Sequence, residues 1–139
     1  MNIRYAIEQS LTPAEFVDVL ERSGLAARRP VGEPERIGKM LQHGNLMITA
    51  RHDGKLVGVA RSLTDFAYCC YLSDLAVDRA YQVHGIGKTL IDKTREAAGH
   101  DSMVLLLSAP AAMTYYPHIG MPKAENAFMF PRPSEQGKR

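Results

Sequence analysis

The sequence predicts an α/β fold in which a mixed central β-sheet is flanked by helices on both faces. Residues 45–51 and 55–63 are apolar segments separated by an Asp-Gly turn, which is typical of an antiparallel hairpin. An apolar strand at residues 68–77 is followed by a helical pattern that begins at Ile86 and by a second apolar strand at residues 103–107. Antiparallel strands followed by such a β-α-β unit give a mixed sheet.

The N-terminal part of the chain predicts one strand and two helices. Residues 2–8 alternate between apolar and polar, which suits a half-buried strand. Thr12 is a favourable N-cap, and the apolar stripe after it predicts a helix that ends at Gly24. A second, shorter helix is predicted over residues 35–42, and Gly44 would end it.

The rest of the chain predicts the remaining strands and helices. Residues 68–77 are apolar almost throughout, which predicts burial on both faces and a central place in the sheet. The helix that begins at Ile86 is expected to end at Gly99. A short helix is predicted over residues 111–116 and a last strand over residues 127–130.

Length and composition limit the class of protein. The 139 residues predict a single domain over residues 1–133 with a flexible tail at residues 134–139. A hydrophobic share of 45% and a charged share of 23% exclude a disordered, collagen-like or coiled-coil chain. Seventeen Lys and Arg against fifteen Asp and Glu leave a net charge of +2, so we expect no nucleic-acid or membrane-surface partner.

The cysteines and the N-terminus favour a cytoplasmic location. Cys69 and Cys70 are adjacent within a strand, so their side chains point to opposite faces, and a disulfide between them is not expected. Both are expected to be inert packing residues. The start of the chain has no apolar stretch with a cleavage site, and no apolar run approaches the roughly 18 residues of a membrane span. The histidines lack metal-ligand spacing, so no metal is expected.

The segment of greatest chemical interest is residues 75–88, LAVDRAYQVHGIGK. It consists of a strand end, a short polar turn and a helix that begins with two glycines, Gly85 and Gly87. Glycine lets phosphate oxygens approach the backbone, and the first turn of a helix offers unpaired N–H groups and the positive end of the helix dipole. Lys88 adds a positive charge. The segment therefore predicts an anion site.

Two familiar phosphate-binding motifs do not match this segment. A Walker A loop ends in Gly-Lys-Ser/Thr, which Gly87, Lys88 and Thr89 supply, but Gln82 stands where its first glycine belongs. A dinucleotide-binding Gly-x-Gly-x-x-Gly motif would need a third glycine at Leu90. A nucleotide-binding module is therefore the least favoured interpretation.

Residues 82–87, QVHGIG, resemble the pyrophosphate-binding motif Gln/Arg-x-x-Gly-x-Gly/Ala of the GNAT superfamily of acyl-CoA-dependent N-acetyltransferases. The Leu-Ala-Val strand end at residues 75–77 agrees with that family, and residues 116–121, YPHIGM, resemble its Tyr-x-x-x-Gly-Phe signature. The resemblance extends over nearly the whole chain and is strongest over residues 68–121. It implies a GNAT-like fold in which the β-α-β unit is the acyl-CoA-binding core.

The resemblance also implies acetyl-CoA as the cosubstrate. The backbone amides of residues 83–88 would hold the CoA pyrophosphate, with Gln82 at the mouth of the loop. The strand end at residues 75–77 would offer backbone groups to the pantetheine arm and the thioester, in a gap between the strand that ends at Val77 and the one that ends near Ser108. The implied cofactor-binding residues are Leu75, Ala76, Val77, Gln82, Val83, His84, Gly85, Ile86, Gly87 and Lys88.

Two catalytic residues follow from the same resemblance. Tyr116 matches the tyrosine that many members use as a general acid toward the CoA thiolate, and a phenol is protonated at neutral pH. Because a proline follows it, Tyr116 is expected to close its helix. Asp74 is the first candidate for the base that takes the ammonium proton, and Tyr71 or Ser73 acting through water are alternatives. Ala109 stands where many members have asparagine.

The expected function is transfer of an acetyl group from acetyl-CoA to a primary amine of a small molecule, by direct attack in a ternary complex. A protein lysine or N-terminus is the alternative acceptor, and a catalytically weak CoA-binding interaction module is the alternative from another class. Arg28 and Arg29 fall in a loop that borders the acceptor site in similar proteins; they are expected to be solvated surface residues, and pairing with an anionic acceptor is the alternative. Small members of this family often form homodimers, which makes a homodimer a further expectation.

Overall fold

The computed structural model describes residues 1–133 and divides into two compact units, Met1–Leu107 and a second unit that begins at Ser108. The single domain predicted over residues 1–133 stays a prediction, and the predicted tail at 134–139 lies outside the described residues. None of the helices in the described part of the chain is long and apolar enough to cross a membrane.

The first unit is a five-stranded sheet with helices on both faces, in the strand order β1-β2-β3-β4-β5. Neighbouring strands are antiparallel except β4 and β5, which are parallel. The α/β class and the mixed sheet are therefore confirmed. Its elements are β1 (Ile3–Ile7), α1 (Pro13–Ser23), a 3₁₀ turn (Leu25–Arg28), α2 (Pro34–His43), β2 (Leu46–His52), β3 (Lys55–Thr64), β4 (Cys69–Val77), a second 3₁₀ turn (Arg79–His84), α3 (Ile86–Ala98) and β5 (Met103–Leu105).

Local signals explain the bounds of the N-terminal elements. The Thr12 side chain accepts a hydrogen bond from the Glu15 N–H at 3.2 Å, and Gly24 ends α1 in the left-handed conformation at φ 89°. The hairpin turn between β2 and β3 places both Asp53 and Gly54 at positive φ, 50° and 82°. This conformation favours Asp-Gly and matches the twist of the two strands. The predicted caps and the hairpin are confirmed.

Helices α1 and α2 cover one face of the sheet, and α3 covers the other. The first face holds a core in which Phe16, Val19 and Leu20 of α1 and Ile37 of α2 are buried against the strands. On the second face, the close approach of α3 to the sheet occurs at Gly58 of β3, where an added Cβ would lie 3.1 Å from a methyl group of Leu90.

The predicted burial of β4 on both faces is wrong. Its side chains alternate, with Cys70 and Leu72 buried while Cys69 and Tyr71 are exposed. The strand is also second from the edge rather than central. Cysteine and tyrosine count as apolar in a sequence pattern but tolerate exposure, so the apolar run overstated the burial of this strand.

A bulge interrupts β4 next to the candidate site. Asp74 pairs with Arg61 and Leu72 pairs with Ser62, so Ser73 is an extra residue with no ladder partner on β3. Bulges of this kind change the direction of the strand and of its side chains, and they are common beside active sites.

The C-terminal predictions hold in part. Strand β5 ends at Leu105, short of the predicted residue 107, and the predicted helix at residues 111–116 is replaced by a 3₁₀ turn (Pro110–Ala112) and a short helix, α4 (Tyr115–His118). The expectation that Tyr116 closes its helix is wrong, because the proline after it is the third residue of α4, where no intrahelical N–H is needed.

The strand predicted at residues 127–130 is also wrong. These residues are irregular, and the Phe128 and Phe130 side chains are almost fully exposed. A four-residue apolar run forms a strand only where another strand pairs with it, and the sequence pattern does not report pairing.

Candidate active site

Strand β4 has an open edge near its end. Its parallel pairing with β5 joins Cys69–Tyr71 to Met103–Leu105, and within the described residues these two strands form no further ladder pair. Strand β4 nevertheless continues to Val77. Residues 72–77 therefore lie beyond the point at which β5 pairs with β4, as the predicted gap between the two strands requires.

The backbone groups of Leu75 and Val77 point toward this open edge. The Asp78 N–H donates to the Val57 carbonyl of β3 at 2.8 Å, and peptide groups alternate in direction along an antiparallel strand. The N–H and carbonyl groups of Leu75 and Val77 therefore point away from β3. The Val77 carbonyl accepts a hydrogen bond from Gln82 Nε2 at 3.0 Å. The Leu75 N–H and carbonyl and the Val77 N–H remain for a ligand that lies along this edge.

Asp78 fixes the turn that follows β4. One of its carboxylate oxygens accepts from the Ala80 N–H at 2.8 Å and the other from Arg22 Nη1 at 2.6 Å. Arg22 also donates to the Leu56 carbonyl at 2.7 Å, so α1, β3 and the turn are held together. Burial raises the pKa of Asp78, but the Ala80 N–H and Arg22 outweigh it, and the net pKa is lowered. The sequence analysis did not single out Asp78, although an aspartate directly after a strand is a typical capping signal.

The first turn of α3 carries the predicted anion site. Gly85 is left-handed at φ 72°, and an added Cβ there would meet nothing within 4 Å. The first amide that bonds inside the helix is that of Thr89, which donates to the Gly85 carbonyl at 3.1 Å. The N–H groups of Ile86, Gly87 and Lys88 therefore have no partner within the helix, and they lie at the positive end of its dipole.

The side chains around this turn are exposed, and some have partners of their own. Lys88 Nζ pairs with Asp92 at 2.8 Å one turn along α3. The Gln82 side chain already donates a hydrogen bond to the Val77 carbonyl, and Val83 is 90% exposed. The backbone of the turn, rather than its side chains, is therefore the better-defined part of the anion site.

Asp74 is fully buried between two arginines. Its side chain is 0% exposed, and each carboxylate oxygen accepts a hydrogen bond from a guanidinium, one from Arg29 Nε and the other from Arg61 Nε. Arg61 was missed by the sequence analysis. The available signal was a lone arginine at an interior position of the apolar strand β3, where a charged side chain needs a partner.

Both arginines also bind the β4 bulge. Arg29 Nη2 donates to the Ser73 carbonyl at 2.9 Å, and Arg61 Nη2 donates to the Ser73 hydroxyl at 3.1 Å. Arg61 Nη1 reaches the Met40 carbonyl of α2 at 3.0 Å. The two guanidinium groups therefore fasten the loop after the first 3₁₀ turn and the end of α2 to the bulge. Tyr71, the other alternative base, is partly exposed, and because its ladder partner Leu63 lies two residues from Arg61, the partner of Asp74, Tyr71 and Asp74 project to the same face of the sheet.

Tyr116 belongs to the second unit. It lies in α4, and its ring packs edge-to-face against the ring of Tyr115 with 5.2 Å between centroids. Gly120 is left-handed at φ 87°, and the next residue, Met121, donates its N–H to the Tyr116 carbonyl at 3.0 Å. This closure explains why a glycine stands four residues after the tyrosine.

The two cysteines differ in exposure. Cys69 is exposed, contrary to expectation, whereas Cys70 is buried, and burial raises the pKa of its thiol. Both are free thiols. Over residues 1–133 no group of three or more His, Cys, Asp or Glu side chains is arranged to hold a metal ion.

Comparison with known proteins identifies the family of this chain. The model of the Acetyltransferase (GNAT) family matches residues 9–121. The chain belongs to the GNAT family. This family is one of acyltransferases, and its fold binds acetyl-CoA. No curated protein matches the chain.

Solved structures show the same GNAT fold. A candidate acetyltransferase from Deinococcus radiodurans R1 is 24% identical with a TM-score of 0.73, over 96% of this chain and 91% of that chain. An aminoglycoside acetyltransferase from an uncultured soil metagenomic sample is 22% identical with a TM-score of 0.67, over 94% of each chain. AAC(6')-Iy, in complex with a CoA-containing bisubstrate analogue, is 12% identical with a TM-score of 0.70, over 95% of this chain and 99% of that chain.

Proposed function

We propose that this GNAT protein transfers the acetyl group of acetyl-CoA to the primary amine of a small molecule. The observation that carries the proposal is the continuity between the unpaired backbone groups of Leu75 and Val77 and the unpaired amides at the start of α3. A ligand that joins an amide-containing arm to a pyrophosphate fits both in sequence. A mononucleotide has the phosphates but no arm to lie along a strand edge.

In the proposed reaction a neutral amine attacks the thioester carbon in a ternary complex. A C–N bond forms, the C–S bond breaks, and the CoA thiolate leaves and takes a proton. The backbone N–H of Leu75 is the donor proposed for the thioester oxygen, since the Ala76 N–H, assigned with it from the sequence, points toward β3, and a donor that points at the developing oxyanion lowers the barrier. Tyr116 is proposed as the acid that protonates the thiolate.

Three residues are candidates for the base that removes the ammonium proton. Asp74 as the base stays a prediction. Both of its oxygens accept from arginines and its side chain is fully buried, so an amine would have to displace one arginine to reach it. Ser73 has its hydroxyl bound by Arg61, whereas the Tyr71 side chain is 37% exposed and accessible to water. Tyr71 acting through water is therefore the alternative that the geometry favours.

A small acceptor is proposed because an aminoglycoside acetyltransferase, solved in two complexes, is among the structural neighbours. A protein lysine or N-terminus is the other acceptor class. One assay distinguishes the two acceptor classes: the rate of CoA thiol release is measured with small amines and with peptides.

The first test is thermal unfolding with acetyl-CoA, CoA, ATP or NAD. A ligand at about 100 times its Kd adds roughly 2.7 kcal/mol to the free energy of unfolding, which shifts the melting temperature by several degrees. We expect acetyl-CoA and CoA alone to produce that shift. A larger shift with ATP or NAD would overturn the proposal, and CoA binding without thiol release for any amine would favour the CoA-binding module.

A pair of glycine variants tests the anion site itself. Gly85 and Gly54 both have positive φ, 72° and 82°, and an added Cβ at either would meet nothing within 4 Å. Alanine at each position therefore costs a similar backbone strain of about 1–2 kcal/mol. Gly85→Ala also puts a methyl group beside the α3 amides, so we expect it to weaken acetyl-CoA binding at least about 10-fold, while Gly54→Ala leaves the Kd unchanged. If the two variants bind acetyl-CoA with equal Kd values, the anion site does not lie at this turn.

A further inference from the structure

The charge around Asp74 does not balance. Asp74 is the one acidic residue within 4.0 Å of the Arg29 or Arg61 guanidinium in residues 1–133. Two guanidinium groups face a single carboxylate, so the formal charge of the cluster of Arg29, Arg61 and Asp74 is +1. Buried charge in proteins is normally paired. The cluster thus has the charge to accept one more anion.

Only one of the two arginines is open to a ligand. The Arg61 side chain is 7% exposed, whereas that of Arg29 is 21% exposed. A guanidinium carries five N–H donors, and the bonds of Arg29 to Asp74, Ser73 and Arg28 use three of them. Arg29 therefore keeps donors for an incoming anion, and its position is fixed by contacts on either side.

Arg29 lies close to the proposed thioester site. Arg29 binds the carbonyl of the bulge residue Ser73, two residues before Leu75, whose backbone groups face the open edge. At a rise of about 3.3 Å per residue, Ser73 and Leu75 are about 7 Å apart along β4. An amino acid could span this distance. Its carboxylate would accept a charge-assisted hydrogen bond of about 2.8 Å from Arg29, and its amine, a few ångströms away, would lie beside Leu75.

We infer that the acceptor is an amine that also carries a carboxylate, such as an amino acid, and that Arg29 binds this carboxylate. The inference rests on the proposed acetyl transfer. Asp74 then acts as a positioning residue that holds Arg29 and Arg61 side by side. An acceptor with several ammonium groups, such as an aminoglycoside, would instead be repelled by the excess positive charge.

The test compares matched acceptors with the wild-type protein. L-Phenylalanine, its carboxamide and phenethylamine share one side chain and differ in the carboxylate, and β-alanine with its carboxamide and an aminoglycoside complete the panel. Thiol release is measured for each. Because a charge-assisted hydrogen bond at a partly buried site changes binding by about 10-fold or more, we expect kcat/KM to favour the carboxylates over their carboxamides by at least that factor. The preference should shrink as salt is added.

Variants separate binding of the carboxylate from support of the fold. Arg29→Gln and the charge-preserving Arg29→Lys should lower kcat/KM for the carboxylates by a larger factor than for the carboxamides, with Arg29→Gln giving the larger loss of that preference. Arg36→Gln is the matched control, because Arg36 is exposed on α2 and pairs with Glu33. If Arg29→Gln does not fold, Arg29→Lys and the wild-type preference still decide the question.

The outcomes distinguish this inference from the proposed function. Equal rates for carboxylates and carboxamides, faster transfer to the aminoglycoside, or equal losses on both acceptor types in the Arg29 variants would overturn the inference and leave acetyl transfer standing. Binding of acetyl-CoA with no transfer to any amine would instead overturn the proposed function.

Discussion

Replacing Gly58 by alanine tests whether the packing of α3 on the sheet positions the anion site. Gly58 lies in β3 beneath α3, and an added Cβ would stand 3.1 Å from Leu90 Cδ1, 3.2 Å from Ile86 Cγ2 and 3.4 Å from the Ala50 Cβ. All three neighbours are fully buried. The two α3 contacts are tighter than ordinary van der Waals contact, so the start of α3 must move outward by a few tenths of an ångström.

The expected magnitude follows from two opposing effects. Overpacking of a filled core costs about 1–3 kcal/mol, whereas alanine in place of glycine in a strand recovers about 0.5–1 kcal/mol. We therefore expect Gly58→Ala to lower the free energy of unfolding by about 0.5–2 kcal/mol, which is a fall of roughly 2–8 °C in melting temperature for a chain of this size. Because Ile86 is the first residue of α3, acetyl-CoA should also bind more weakly.

The assay is urea and thermal unfolding, together with the acetyl-CoA-induced shift in melting temperature. Gly38→Ala is the matched control, because Gly38 lies inside α2 and an added Cβ there would meet nothing within 4 Å. That variant should gain up to about 1 kcal/mol from the helix propensity of alanine. A Gly58→Ala protein as stable as the wild type, with unchanged acetyl-CoA binding, would refute the argument that the added methyl group displaces the start of α3.

Three further predictions concern the turn and the acid. Asp78→Asn should cost about 1–2 kcal/mol at pH 7 by weakening the bond to Arg22, measured by urea unfolding. The folded pKa of Asp78 is lowered from 3.8, so the stability that its charge contributes is present above pH 4 and is lost as pH falls through the folded pKa. A difference in unfolding free energy between wild type and variant that does not narrow as the pH is lowered from 4 would contradict this. Gln82→Ala should raise the KM for acetyl-CoA about 3- to 5-fold at constant kcat, because the bond to the Val77 carbonyl is lost; an unchanged KM would show that the turn does not need it. Tyr116→Phe should lower kcat by about 100-fold without changing the KM for acetyl-CoA, and an unchanged kcat would remove the acid assignment.

The parts of the fold that the sequence predicts are those encoded by neighbouring residues. The N-cap at Thr12, the left-handed glycine at Gly24 and the hairpin turn at Gly54 depend only on local conformation, and each is where it was predicted. The strand predicted at residues 127–130 and the burial of β4 on both faces depend on which distant segments pair or pack, and both predictions failed. A single sequence contains no direct record of such pairing.

The candidate site also has parts that are encoded by neighbouring residues and parts that depend on distant ones. Gly85 and the start of α3 follow from a motif of contiguous residues, because the proposed anion site consists of one turn of backbone. The pairing of Asp74 with Arg29 and Arg61 joins residues separated by 45 and 13 positions and could not be predicted from spacing. Asp74 was singled out for its place beside the strand end, yet what surrounds it is decided by the bulge at Ser73.

The short ladder between β4 and β5 has a consequence for handling the protein without ligand. Unpaired N–H and carbonyl groups along a strand edge are a template for addition of another strand, and proteins that leave such an edge open risk self-association. The edge at Leu75 and Val77 is of this kind. A bound pantetheine arm, with its own amide groups, would act as a removable edge strand. Acetyl-CoA should therefore protect the protein from aggregation and slow amide hydrogen exchange at these two residues, independently of any acetyl transfer.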